Sequence, residues 1–272
     1  VRHIPPGLAR RDDEPDVPFQ YEVHDLPASV RAELRGIPTD LAKIVGAHLA
    51  AVGEYLVDDP QLALRHAHAA RRRAARLTVT REALGEAAYA AGEWTMALQE
   101  FRALRRMTGN QEWLPVMADC ERALGRPEAA LRLARESQDL SLTAKDRAEM
   151  RIVEAGARAD LGQHAEALRL LRSTLAMTPD RAVGSKVRVG YALADLLLDQ
   201  GHQDEAMALF AKVAAWDTDG ETDAAERVDA FDGMVLEVGD WDDEDEQQDD
   251  EPDPAPATDQ EPADGHGTDE KA

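Results

Sequence analysis

Gly85-Glu86-Ala87-Ala88-Tyr89-Ala90-Ala91-Gly92-Glu93-Trp94-Thr95-Met96-Ala97-Leu98-Gln99-Glu100-Phe101 is the stretch from which the rest of the chain can be read. Gly92 separates two runs of helix formers. Seven residues before it stands a residue with no side chain, five after it an alanine, and four further on an aromatic ring, Phe101. Glycine readily adopts the positive φ at which many helices end. Small residues at those two distances let two antiparallel helices approach closely, and the bulkier residue is left to pack on a neighbour. The stretch predicts a helical hairpin.

The pattern recurs. Gly125-x4-Ala130, Gly162-x4-Ala167 and Gly201-x4-Ala206 keep the spacing, with Ala118, Ala155 and Ala194 seven residues upstream, at glycine intervals of 33, 37 and 39. Leu171 and Phe210 repeat the position of Phe101. Asp58, 34 residues before Gly92, takes the turn position of a degenerate first unit between Ala51 and Ala63, which makes five units. A lone hairpin cannot bury its apolar stripe, so such units must stack. From Leu56 to Trp216 the chain is dominated by Ala, Leu, Arg and Glu, without a sustained period-two run, and reads as all-α. Asp59-Pro60 predicts an N-cap and first helical position, Thr143-x-x-Asp146 a variant capping box, and Pro179 a helix stop.

The flanks differ. Pro5, Pro6, Pro15 and Pro18 make residues 1–25 a flexible, polar arm, followed by a short helix from Ala28 to Arg35 and a longer one to about Leu56. Thr222 to Val238 predicts one amphipathic helix with Ala225, Val228, Phe231 and Val235 on one side, a cap for the last hairpin. The repeat domain thus spans 26–238. Residues 239–272 hold no Leu, Ile, Val or Phe and read as a disordered acidic tail.

Charge follows the same division. The net charge is −23, yet residues 217–272 carry 23 acids and 2 bases, and the preceding 216 residues carry 31 acids and 29 bases. A polyanionic end on a nearly neutral body excludes a chain that is basic overall and binds nucleic acid through that charge. No apolar run is long enough for a transmembrane helix, and the first residues lack the apolar core of a secretory signal. One cysteine, Cys120, fits a reducing cytoplasm, and 26 Arg against 5 Lys suggests a GC-rich bacterial genome.

The repeat spacing from about Ile44 to Trp216 resembles that of the tetratricopeptide repeat family, and within it is similar to cytoplasmic proteins of GC-rich, actinobacterial-type bacteria. The resemblance implies a right-handed α-solenoid whose first helices line a concave groove holding a partner segment. The family's inward positions fall on His48, Tyr55, Glu82, Glu86, Tyr89, Glu112, Asp119, Arg122, Glu149, Asp160, Arg188, Tyr191, Asp195 and Asp199, eight acids against two arginines. The second helices carry the opposite sign. Arg65, Arg71, Arg72, Arg73, Arg76, Arg102, Arg105 and Arg106 form a basic patch, continued by Arg132, Arg135, Arg169 and Arg172.

Catalytic and cofactor patterns are absent from the sequence: there is no phosphate-binding loop, nucleophile elbow, H-E-x-x-H or paired C-x-x-C. Cys120, between Asp119 and Glu121, reads as a structural thiol. His66 and His68, two apart on a helix, point to nearly opposite sides, and although His48 could approach one of them, no metal site is predicted. Three functions remain. One is a non-catalytic scaffold whose acidic groove selects a basic segment of another protein. A second is a nucleic-acid-associated protein using the Arg65–Arg81 block, with the acidic tail as competitor. An enzyme has no motif behind it. Both charged faces also admit a plainer reading as solvated helix surfaces whose pairs contribute about 0.2–0.5 kcal/mol each.

Overall fold

Among the described residues the helix-forming composition becomes a run of helices joined by short turns. The computed structural model describes residues 11, 13–16, 23–231 and 233, and the chain divides into two units after Gly233, the described residues all lying in the first. Among the described residues there are twelve α-helices and no strand. A 3-10 turn, Val23–Asp25, precedes α1 (Ala28–Leu34), α2 (Thr39–Tyr55), α3 (Pro60–Arg73), α4 (Thr78–Ala90), α5 (Trp94–Thr108) and α6 (Leu114–Ala123). These are followed by α7 (Pro127–Ser137), α8 (Ala144–Asp160), α9 (His164–Met177), α10 (Val183–Asp199), α11 (Gln203–Trp216) and α12 (Ala224–Phe231). From α2 to α11 the helices pack in sequential pairs, and each pair packs on the next.

The turn glycines close four of these pairs. Gly92, Gly125, Gly162 and Gly201 have φ of 76°, 70°, 75° and 79°. At each, the glycine N–H bonds the carbonyl three residues back and the next N–H the carbonyl five before it, as in Glu93 N to Ala88 O at 2.8 Å and Arg126 N to Glu121 O at 2.9 Å. That is a Schellman ending, which satisfies two carbonyls the helix leaves orphaned. The pair α2–α3 lacks the glycine. There Asp59 accepts the Leu62 N–H at 3.0 Å, and Pro60 opens α3.

The small residues upstream and downstream of the turns are fully buried: Ala51, Ala118, Ala155 and Ala194 on the first helices, Ala63, Ala97, Ala167 and Ala206 on the second. At Gly85 even a methyl would not fit, since a Cβ there would stand 2.9 Å from the Phe101 ring. Phe101, Leu171 and Phe210 are buried in the core, each contributing about 1.5–3 kcal/mol from the surface it removes from water, and Phe101 also stacks on Trp113 ahead of α6. Thr143 caps α8 by accepting the Asp146 N–H at 3.1 Å, but its hydroxyl turns to the Asp146 carboxylate at 2.7 Å. Helix α9 stops at Met177, and Thr178 before Pro179 is extended.

At the C-terminal end the described part of the predicted helix 222–238 is helical over Ala224–Phe231, with its inward face rotated from the expected one. Helix α12 starts at Ala224 and packs on α11 through Ala224 and Val228, leaving Ala225 and Phe231 exposed; Val235 and the acidic tail lie outside the described residues.

Candidate functional site

Helix α4 presents Glu82, Glu86 and Tyr89 on one face, at spacings of four and three residues. Two hollows flank this stripe. The first, of about 570 Å³, runs from Leu26 and Pro27 over Val30 and Glu33 of α1 and Leu49, Val52, Glu54 and Leu56 of α2 and its end, to Val79, Glu82 and Glu86. The second, of about 470 Å³, is bounded by Glu86, Tyr89, Glu112, Trp113, Val116, Asp119, Asp146, Glu149, Ile152 and Arg188. Leu56 and Glu86 belong to both, so the hollows meet at α4.

Nine carboxylates and one guanidinium line this double concavity. Several are committed within the protein. Glu33 accepts the Val79 N–H at 3.1 Å and the Thr78 hydroxyl, serving the start of α4, where Leu77 offers no side-chain cap. Asp119 accepts the Tyr89 hydroxyl at 2.5 Å, Glu112 accepts from Asn110, and Glu149 holds Arg188 through two nitrogens. Hydrogen bonding to Glu149 raises the Arg188 pKa against its burial, and burial together with the Asp119 bond raises that of Tyr89.

Glu82 and Glu86 have no hydrogen-bonding or ion-pairing partner among the described residues. Water reaches Glu86 from the concave side, but protein crowds it elsewhere. Burial, and secondarily the charge on Glu82, pushes its carboxyl up to about 7. The Glu82 carboxyl is raised by burial and then by Glu112 and Glu33. These are acids without counter-ions, beside an apolar floor.

The inward positions implied by the repeat spacing divide. Glu82, Glu86, Tyr89, Glu112, Asp119, Glu149 and Arg188 come together around the double concavity. His48 does not: it is fully buried between α2 and α3, because the α2 face that lines the hollow carries Leu49, Val52 and Leu56. Tyr55 stacks on His66 at 5.8 Å, outside both hollows. Arg122 pairs with Asp160 at 2.7 Å across Gly156, at a separate hollow beside the Gly125 turn. Tyr191 and Asp195 are engaged at the start of α12: the Tyr191 hydroxyl bonds Asp223, just before the helix, at 2.6 Å, and Arg227 within it bonds Asp195 at 2.8 Å. Asp199 is exposed at the end of α10. The sequence reading missed the apolar floor of Leu56, Trp113, Val116 and Ile152 as part of the groove, and with it the acids Asp25, Glu33, Glu54 and Asp146.

The basic patch is largely neutralised. Arg73 is buried against Glu14, Arg72 lies 3.6 Å from Glu14 and 3.7 Å from Asp13, and Arg71 lies 3.9 Å from Glu100. Arg102 pairs with Glu121, and Arg105 with Glu136. Of the eight, Arg65, Arg76 and Arg106 are exposed and have no ion pair among the described residues. Glu14, placed in a loose arm by its sequence context, is 4% exposed and accepts from His48 Nε2 at 2.9 Å. Cys120 is buried, and burial, then Asp119 and Glu121, pushes its thiol up to about 12. Among the described residues no cluster of three or more His, Cys, Asp or Glu is arranged to hold a metal, and no helix is long and apolar enough to cross a membrane.

Sequential helix pairs with glycine-closed turns and a concave face define a helical repeat protein. Residues 158–226 match the tetratricopeptide repeat family. A thermophilic TPR protein of Thermus thermophilus shares the fold with a TM-score of 0.54 at 20% identity, over 68% of this chain and 97% of that one. Nearly identical TPR-like repeats from Podosopora anserina give 0.46 at 19%, over 64% of this chain and 95% of that one. Among curated proteins none matches significantly. In fold the chain is a helical repeat protein similar to tetratricopeptide repeat proteins, with an acidic concave face.

Proposed function

We propose that the protein is a non-catalytic scaffold, a right-handed array of five tetratricopeptide-like repeats capped by α12, whose concave face holds a basic segment of another protein. The observation that carries this reading is the uncompensated acid pair Glu82 and Glu86, set in a concavity whose one guanidinium is already bound to Glu149. A segment bearing Lys or Arg supplies the missing counter-charge, and the apolar floor supplies surface to bury. The arginine-rich second helices give less support to a phosphate-binding role, since five of the eight patch arginines already face carboxylates.

The test is a fluorescence anisotropy screen of the full chain against a library of Arg- and Lys-bearing peptides and a charge-inverted library. The basic library gives binders, the inverted one does not, and Glu82→Lys with Glu86→Lys weakens the binders at least tenfold, about 1.4 kcal/mol. Affinities indifferent to that reversal sink the proposal.

A further inference from the structure

We infer that the groove reads an apolar–cation–apolar pattern: one Lys or Arg side chain over Glu82 and Glu86, with an apolar side chain on either side of it entering the two adjoining hollows. The inference rests on the reading that this face holds a partner segment and specifies what that segment must carry.

Three features of the concavity lead there. It is divided, with Leu26, Leu49 and Val52 on the floor of the first hollow and Trp113, Val116 and Ile152 on that of the second. Its divider is acidic, because Glu86 lines both hollows and Glu82 stands one turn before it on the same face of α4. The other acids along its walls are largely spoken for: Glu33 holds the start of α4, Asp119 the Tyr89 hydroxyl and Glu149 the Arg188 guanidinium. A ligand cation is therefore best neutralised at the divider, and apolar groups find their partners on both sides of it.

An extended segment sets alternate side chains on one side, so residues i, i+2 and i+4 can face the floor, the divider and the second floor. A polycation without apolar residues would leave both floors wet, and an apolar segment without a cation would cover two carboxylates and leave them unpaired, which is costly. Two carboxylates fall well short of the six to eight oxygens a calcium ion takes. Because burial and Glu82 push the Glu86 carboxyl up to about 7, seating a cation beside it expels up to about half a proton at pH 7. That release separates binding at the divider from binding elsewhere on an acidic protein.

Isothermal titration calorimetry on the full chain with three capped peptides, built on Leu-Ser-Lys-Ser-Leu, Ser-Ser-Lys-Ser-Ser and Leu-Ser-Gln-Ser-Leu, tests this. The first is expected to bind at least tenfold tighter than either of the others. At pH 7, in buffers of different ionisation enthalpy, it should release up to about half a proton, a release that Glu86→Gln abolishes. Glu82→Gln with Glu86→Gln should remove the advantage of Lys over Gln while keeping that of Leu over Ser. Equal affinity for the first two peptides overturns the pattern and leaves the basic-segment reading standing. A Lys advantage that survives both Gln substitutions places the cation elsewhere and also overturns it. If no peptide of the three binds and the basic library yields none either, the reading of the groove falls with it.

Discussion

At the scale of single residues, the buried contact Glu14–His48–His66 sets a chemical order that can be followed atom by atom. An ionised Glu14 accepts, so His48 carries its proton on Nε2, 2.9 Å away. His48 Nδ1 is then a lone pair, and His66 must donate from Nδ1 across 2.9 Å, a tautomer assignment that follows from the hydrogen-bond network. Both imidazoles are neutral in this arrangement, and both pKa values are lowered, chiefly by burial, that of His66 to about 4. Burial disfavours the Glu14 carboxylate, yet bonds from Arg73 and His48 outweigh it and hold its pKa below the ordinary value. The consequence for stability has one sign. As pH falls below 6.5 the unfolded chain takes up a proton that folded His66 refuses until about pH 4, so stability is lost through that window, by about 3 kcal/mol at most from this residue. His48 acts in the same direction, and Glu14 adds its own loss at lower pH. His66→Asn keeps a donor near the Nδ1 position and removes the titration. Urea unfolding from pH 7.5 to 4 should show a shallower decline in that variant; an unchanged slope would contradict the proposed origin.

At the scale of helices, the turns were legible because their chemistry is local: a glycine and two small residues at fixed distances suffice to write a hairpin. The groove was only half legible. Its acids stand out in a sequence, whereas Leu56, Trp113, Val116 and Ile152 look no different there from residues of the core. His48 was misplaced because one residue along an α-helix is a rotation of about 100°, which brings Leu49 rather than His48 to the hollow. Glu33 capping α4 depends on a contact 46 residues long, beyond any local pattern. Helix α12 has its inward face at Ala224, Arg227 and Val228, chosen by Tyr191, Asp195 and α11 rather than by its own periodicity. The turn rule can be isolated. A Cβ on Gly125 would meet nothing within 4 Å, so Gly125→Ala tests only the cost of holding alanine at φ 70°. It should destabilise by about 1–2 kcal/mol in urea unfolding, and Gly125→Asn by less, since asparagine tolerates that region better. Equal losses would point to packing rather than backbone conformation.

At the scale of the whole molecule, the charge that dominates the composition is separable from the groove it could serve. Residues 239–272 hold fifteen acids and one lysine, so their deletion takes the net charge from −23 to −9. They contain no Leu, Ile, Val or Phe with which to contribute to a core, and the chain divides from the repeat unit before them, after Gly233. Thermal unfolding of the repeat unit should therefore be unchanged by the deletion. Binding should change in rate. A cationic segment approaching the full chain is drawn by the long-range field of all 23 excess charges, and that field is screened over about 10 Å at 0.1 M salt. At 20 mM salt the truncated protein should associate severalfold more slowly with a basic peptide, with dissociation nearly unaltered, because the contacts at Glu82 and Glu86 remain. At 0.5 M salt the two association rates should converge. Stopped-flow measurement at both salts decides between steering and competition. A tail that instead holds the cation itself, in rivalry with the groove, would make the truncated protein bind faster or more tightly at low salt, the opposite sign.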